Sequence, residues 1–390
     1  MKKSLCILLV SVTFLFSGIN IFAKNNLYNT AETTTTNNEF DVDAKSAILM
    51  EANTGKILFS KNETTEASPA SVTKIMTLLL VMEAIKDERI SLSDNVFISE
   101  YAASMGGSQV FLEEGEEMKV EELIKCTVIA SANDAAVALA EHIGGSEKAF
   151  VNMMNTRASE LKMTNTNFEN VTGLDDTAKN HFTSAKDIAI MSQELIKHDL
   201  ILKYSTLWQD TIRNGEFTLT NTNRLVRYYD GCNGLKTGST DKAGYCISAT
   251  AKRGDMQLIA VIMGAESRDI RNAAARSLLD YGFSNYGIYT NKEQFVENIK
   301  IINGTKGETQ AFSSEFSAVI PKGMLKKVEM TFEIPETVAA PLKSGDVVGR
   351  IVYKIGDEQI GTSDIFIKED IDKITVLDIF KNLIKNLFNL

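Results

Sequence analysis

Apolar residues crowd the segment from Ser71 to Asp87 on nearly every side of a helix: Ile75, Met76, Leu78, Leu79, Leu80, Met82 and Ile85 leave no continuous polar face. A helix of that pattern belongs in a core rather than on a surface. Before it, residues 44–60 read as a hairpin, with Ser46-Ala47-Ile48-Leu49-Met50 and Lys56-Ile57-Leu58-Phe59 around a turn at Asn53-Thr54-Gly55. After it, a second helical run covers about 121–141 with a break near Ala130-Ser131, and further helices are expected near 147–162 and 183–198. Strand character returns over 245–252 and 256–264, joined by a tight turn at Arg253-Gly254-Asp255, and a closing helix near 269–281 is expected to pack on that sheet. The pattern over 41–288 is therefore α+β, an antiparallel sheet flanked by helices, with its first strands from the N-terminal end.

The pattern changes at about residue 289. The stretches 296–302, 327–334, 346–353 and 359–366 alternate and are broken by Gly and Pro, which predicts a small all-β, sandwich-like domain over 289–369. Over 370–390, Ile374, Leu377, Phe380, Leu383, Ile384, Leu387 and Phe388 recur at three- and four-residue steps, while Lys373, Lys381, Asn382, Lys385 and Asn389 fall mostly elsewhere. Following a complete-looking β domain, this C-terminal amphipathic helix is expected to anchor the protein on a membrane surface rather than pack in a core.

At the other end, Lys2 and Lys3 precede an apolar run over 5–16 and the small residue Ala23, the pattern of a secretory signal peptide over 1–23. The run is too short for a comfortable membrane span. The Thr-rich stretch within 24–40 is expected to be a disordered lead-in.

Composition narrows the function. With 44% hydrophobic and 24% charged residues the 390-residue chain is ordinary for two or three globular domains. Its formal charge is −10, and removal of 1–23 takes away two lysines and no acid. Such an acidic exported protein is a poor partner for nucleic acid, whose phosphates need Lys and Arg. Of the four cysteines, Cys6 leaves with residues 1–23, and the remaining Cys126, Cys232 and Cys246 are an odd set without a CxxC pair, which argues against a disulfide scaffold or zinc ribbon. A Cys232–Cys246 bridge stays open beside buried free thiols. His142, His181 and His198 have no metal-ligand spacing, so no metal and no cofactor is expected.

Three strings carry the candidate chemistry: Ser71-Val72-Thr73-Lys74, Ser131-Ala132-Asn133 and Lys236-Thr237-Gly238. Each spelling alone is cheap, since Ser159-Glu160-Leu161-Lys162 and Ser239-Thr240-Asp241-Lys242 also read SxxK, and Ser60-Lys61-Asn62 and Ser93-Asp94-Asn95 read SxN. Context separates them. Lys74 lies one helical turn beyond Ser71, on the same face. A serine nucleophile needs a base, and lysine serves only when burial and a second cation lower its pKa; Lys236 is the candidate second cation. A helix cap with a surface amine fits badly, because the surrounding helix is apolar all round. Ser131 either caps the following helix or relays a proton between Lys74 and a leaving amine, with Asn133 holding a substrate amide or Lys74. Lys236 opens an edge-like strand on which Gly238 lets a substrate backbone lie alongside. Thr237 and Thr240 are candidates to bind a terminal carboxylate, and the Ser239 and Ser71 N–H groups to form an oxyanion hole.

Five longer strings then resemble the low-molecular-mass penicillin-binding D-alanyl-D-alanine carboxypeptidases, serine peptidases of the penicillin-binding protein 5 type: Pro69-Ala70-Ser71-Val72-Thr73-Lys74, Ser131-Ala132-Asn133-Asp134-Ala135, Asn170-Val171-Thr172-Gly173-Leu174-Asp175, Asn221-Thr222-Asn223-Arg224-Leu225 and 234–240. The likeness runs from about residue 40 to the end and includes Ala340-Pro341-Leu342 and 345–349 in the β domain. It implies a β-lactamase/transpeptidase-like fold and removal of the terminal D-alanine from peptidoglycan stem pentapeptides through an acyl-serine. It also implies covalent inhibition by β-lactams, and residence on the outer face of the bacterial cytoplasmic membrane. By the same resemblance Arg271 helps bind the substrate carboxylate, and 104–108 borders the site. Two rivals are a class A-like β-lactamase, for which Glu169 would be the deacylating acid, and a non-catalytic β-lactam-binding envelope protein.

Overall fold

The computed structural model describes residues 41–175 and 178–388; the expected signal peptide and lead-in lie outside them. β1 (Ser46–Glu51) and β2 (Ile57–Lys61) form the hairpin that the alternation predicts. The apolar helix begins as a 3₁₀ turn, Ala70–Thr73, and continues as α1 (Lys74–Lys86). α1 is buried without interruption from Lys74 through Met82, which is what its all-round apolar pattern requires. A side excursion follows, with β3 (Asn95–Phe97), α2 (Glu100–Ala103) and β4 (Glu117–Lys119), in which β3 and β4 pair.

The broken helical run resolves into α3 (Val120–Lys125), a π turn over Cys126–Ala130, and α4 (Asn133–Gly144). The break has a local cause. Ser131 is left-handed, at φ 63° and ψ 27°, and an L-residue in that region cannot continue a right-handed helix. α5 (Glu147–Glu160) and α6 (Ala185–Leu195) start on Ser146 and Ser184, whose side chains accept backbone N–H groups of the first turn. Then come α7 (Asp199–Ser205), the small ribbon of β5 (Gln209–Ile212) with β6 (Phe217–Thr220), and α8 (Leu225–Tyr228).

β7 (Cys232–Thr240), β8 (Gly244–Arg253) and β9 (Met256–Ala265) complete an antiparallel sheet of order β2-β1-β9-β8-β7, covered by α9 (Arg268–Asn285). Ile48, Met50, Ile259 and Val261 join the helical core around α1 and α6 on one face. On the other face α9 sits so close at Gly282 that an added Cβ would lie 2.6 Å from Leu258 and 2.9 Å from Leu49. β7 is the outer strand, so one of its edges has no strand partner in this sheet.

The all-β portion contains β10 (Tyr286–Asn291), β11 (Gln294–Ile302), β12 (Glu308–Ser313), β13 (Phe316–Pro321), β14 (Val328–Glu333), β15 (Thr337–Ala339), β16 (Val347–Ile355) and β17 (Glu358–Ile367). Six of them form a sheet of order β14-β16-β17-β12-β11-β15, while β10 pairs with β13. Ile299, Ala311, Ile351, Ile365 and Ile367 fill the core around Tyr353, whose ring stacks on Phe316 at 3.9 Å. The last element, α10 (Val376–Phe388), exposes Val376, Leu377, Ile379, Phe380, Leu383 and Ile384. No described helix is long and apolar enough to cross a membrane. Cys126, Cys232 and Cys246 are buried free thiols, so the open question of a Cys232–Cys246 bridge is answered against it.

Candidate active site

Ser71 sits on the 3₁₀ turn directly ahead of α1, after Ala70 with its φ of 48°. A positive φ at a non-glycine residue is held by its surroundings, and here they are explicit. Thr73 Oγ1 donates to the Ala70 carbonyl at 2.9 Å and pairs with His181 Nε2 at 2.8 Å. His181 Nδ1 accepts the Glu169 N–H at 3.1 Å, which puts the ring proton on Nε2 and makes Thr73 its acceptor. Burial pushes the His181 pKa down to about 4, so the neutral ring persists at neutral pH. Gly173 closes over the same turn at φ 81°; a Cβ there would lie 1.8 Å from the Ala70 oxygen.

The Lys74 side chain is fully buried, with Nζ 3.0 Å from Ser71 Oγ. The amine also donates to Asn133 Oδ1 at 2.5 Å and to the Thr172 carbonyl at 3.0 Å. Loss of hydration, and then the charge of Lys236, hold its pKa well below the usual lysine value, with Asp134 pulling the other way. Lys236, on β7, donates to Ser131 Oγ at 2.8 Å and to the Thr237 carbonyl at 2.9 Å. Burial, and then the charge of Arg271, lower the Lys236 pKa to about 7.

The left-handed turn at Ser131 aims its hydroxyl at Lys236 rather than at the start of α4. Ala132 is the residue that caps α4, without a side-chain bond, so the helix-cap reading of Ser131 is corrected. Asn133 uses its oxygen on Lys74 and its Nδ2 on the Gly106 carbonyl at 2.6 Å, while its N–H donates to Ser108 O at 2.7 Å. Of its two expected tasks, holding Lys74 is the one observed. These bonds also draw the 104–108 loop to the site, and Asp134 anchors the chain beyond it by accepting the Val110 and Leu112 N–H groups.

β7 passes Ser71 at Gly238, where a Cβ would lie 2.7 Å from the Ser71 nitrogen and 2.9 Å from the Pro69 oxygen. Only glycine permits that approach. Thr237 Oγ1 donates to Thr222 Oγ1 at 2.8 Å. The Thr240 hydroxyl, expected to face a carboxylate, instead donates to Asp175 Oδ2, while Asp175 Oδ1 accepts from Ser68 at 2.7 Å. This corrects the expectation for Thr240: its hydroxyl ties β7 to the 170–175 loop and to the chain just before the nucleophile. A cavity of about 610 Å³ lies over the site, lined among others by Ser71, Ser131, Thr237, Gly238, Ser239 and Arg271. Arg271 is 3% exposed and bonds Asn272 Oδ1 at 2.9 Å through Nη2.

Motif reasoning did not single out Thr172, Asp175, Ser68, Thr222 or His181. The strings 170–175 and 221–225 were visible as resemblance, but no spacing rule announces a backbone carbonyl that receives an ammonium. Glu169 is exposed and accepts the Asn180 N–H at 3.0 Å; it lies in a different depression from Ser71, which leaves a deacylating acid without support.

The group in hydrogen-bond contact with Ser71 is an amine rather than an imidazole, which defines a lysine-dependent serine acyl-transfer enzyme. Comparisons with known proteins narrow this class. The family model described as D-alanyl-D-alanine carboxypeptidase matches residues 31–267, and that of the penicillin-binding protein 5 C-terminal domain matches 283–373. The chain is 42% identical over 388 residues to the D-alanyl-D-alanine carboxypeptidase DacF of Bacillus subtilis, covering 98% of this chain and 97% of that one. Penicillin-binding protein 5 from Haemophilus influenzae superposes with a TM-score of 0.77 at 31% identity, covering 86% of this chain and 99% of its own. Penicillin-binding protein D2 from Listeria monocytogenes, in its ampicillin-bound form, gives a TM-score of 0.58 at 29% identity over 63% of this chain and 100% of its own. The chain belongs to the D-alanyl-D-alanine carboxypeptidase family, and the activity is that of a serine-type carboxypeptidase.

Proposed function

We propose that the chain removes the terminal D-alanine from peptidoglycan stem pentapeptides by acylation of Ser71, with Lys74 as the base. The observation that carries this reading is the coordination of the Lys74 amine. Two of its three hydrogen-bond partners, Asn133 Oδ1 and the Thr172 carbonyl, are acceptors only. A neutral amine spends both protons on them and turns its lone pair to the third, Ser71 Oγ. The Oγ–C bond then forms, the C–N bond breaks, and the departing amine leaves with the serine's proton, relayed through Ser131 beside Lys236. Water completes the cycle by cleaving the ester. The substrate lies along the free edge of β7, with its carbonyl oxygen between the Ser71 and Ser239 N–H groups. Its terminal carboxylate rests on Lys236, Arg271 and the Thr237 hydroxyl, whose proton turns to it while Thr222 becomes the donor in the Thr222–Thr237 pair.

A β-lactam opens on the same serine to give an acyl ester at the same Oγ, with the lactam nitrogen still tethered to the acyl group, in keeping with the ampicillin-bound Listeria relative. Intact mass after penicillin G should show one adduct, mapped to the peptide bearing Ser71, and diacetyl-Lys-D-Ala-D-Ala should release D-alanine. An adduct on another serine refutes the assignment of Ser71. Persistent acylation with no D-alanine release favours a receptor over an enzyme.

This substrate lies outside the cytoplasmic membrane, which suits the export signal expected over 1–23, and the apolar face of α10 suits peripheral attachment to the outer leaflet. Deleting 371–390 should move the protein from the membrane pellet to the soluble fraction with peptide cleavage intact; continued sedimentation with membrane overturns the anchor.

A further inference from the structure

The cavity over Ser71 extends beyond what a terminal alanine occupies. Its lining includes Trp208, Thr220, Asn221, Arg224, Tyr228 and Arg268, taken together here as its arm; of these only Asn221 and Arg224 fall in a string quoted above, which gives neither a role. The arm is held from within. Asn221 is buried, its Nδ2 donating to Leu207 O at 2.9 Å and its N–H to Trp208 O at 2.8 Å. The Trp208 and Tyr228 rings meet at 6.4 Å, and the Arg227 guanidinium lies 5.2 Å and 5.5 Å from their centroids, a cation backing both aromatic faces.

The arm is also cationic without compensation. Arg268 and Arg224 both line it beside buried Arg271, close enough that their charges help to depress the Arg271 pKa to about 10 after burial. Among the described residues no carboxylate forms an ion pair with any of the three. In a chain of formal charge −10, three guanidiniums line one cavity with no acid among the lining residues; Arg271 is buried while Arg224 and Arg268 are exposed, and an anion entering the cavity meets net positive charge. A substrate's terminal carboxylate engages Arg271 and leaves Arg224 and Arg268 unanswered.

We propose that this arm is a leaving-group subsite for a C-terminal D-residue larger than alanine that carries a second carboxylate. Its α-carboxylate rests on Arg271 and Thr237, its side-chain carboxylate on Arg224 and Arg268, and its aliphatic stem along Trp208 and Tyr228. The inference rests on the carboxypeptidase reading, and the chemistry is unchanged: the ester to Ser71 forms and the acidic residue departs as its free amine.

Three peptides test it on the full chain: diacetyl-Lys-D-Ala followed by D-alanine, D-glutamate or D-glutamine. kcat/KM for the D-glutamate peptide should exceed that for the neutral D-glutamine isostere by about fivefold at low salt, the upper range for an exposed charge pair. In the double variant R224Q/R268Q that preference should vanish, while release of D-alanine from the D-Ala-D-Ala peptide stays within about twofold. Equal rates for D-glutamate and D-glutamine in the wild type, or a preference that survives in the double variant, overturn the subsite and leave the carboxypeptidase reading standing. Failure to release D-alanine from the first peptide overturns both.

Discussion

Replacement of Lys74 by methionine should lower the rate of acylation by penicillin about a thousandfold, within the range general-base catalysis supplies, while the thermal midpoint moves little. Methionine keeps most of the volume of the fully buried side chain, so the helical core around α1 stays filled. Two stability effects then oppose each other. Removing a buried amine relieves its loss of hydration, the largest cause of the depressed Lys74 pKa. Asn133 Oδ1 and the Thr172 carbonyl lose their donor, at about 1–3 kcal/mol for each acceptor left unsatisfied. The rate has no such compensation, because the base in contact with Ser71 Oγ is gone. The wild-type rate should also fall as pH drops, since protonation of Lys74 removes the lone pair, and the variant should lose that slope. Stopped-flow acylation across pH, with calorimetry alongside, reads both. Wild-type acylation by the variant removes Lys74 as the base, and a collapsed midpoint makes its role structural.

What could be read from the chain followed the range over which each signal acts. α1 was legible because an all-round apolar helix has one place to go, and the break at Ser131 because a serine between two helical runs interrupts them locally. β8 and β9 were legible because their turn and their apolar runs are contiguous. The β5–β6 ribbon, β10, β12, β13 and β15 were not. They are short, and several owe their pairing to partners far along the chain, as when β15 runs parallel to β11. The site divides in the same way. Ser71 and Lys74 are one helical turn apart, so their contact is local, and the recognised motif set brought in Ser131 and Lys236. Thr240 and His181 belong to the other kind. The Asp175 partner of Thr240 and the Thr73 partner of His181 lie 65 and 108 residues away from them along the chain, and the sequence alone assigns neither. Arg224 and Arg268 stand far apart in the chain and flank one cavity only after β7 and α9 have packed.

The tightest of these long-range contacts yields the second large effect. Gly173→Ala should slow acylation about a hundredfold, the usual consequence of displacing reacting groups by roughly 1 Å. At φ 81° an L-residue costs about 1–2 kcal/mol before any contact is counted. The added Cβ would also stand 1.8 Å from the Ala70 oxygen and 2.7 Å from Thr73 Oγ1, so the loop or the turn must move. Either movement reaches the chemistry. Ala70 precedes the nucleophile, and Thr172, next to Gly173, supplies a carbonyl that fixes the Lys74 amine. Relaxation would therefore lengthen the Ser71–Lys74 contact from one side or the other, and the thermal midpoint should drop by about 5 °C or more. Gly307→Ala is the matched control, because its φ is not in the left-handed region and nothing lies within 4 Å of the added Cβ; it should change neither rate nor midpoint. A Gly173→Ala variant that acylates at the wild-type rate would mean that the 170–175 loop does not hold Ser71 and Lys74 in register, and that the turn before the nucleophile keeps its strained shape without it.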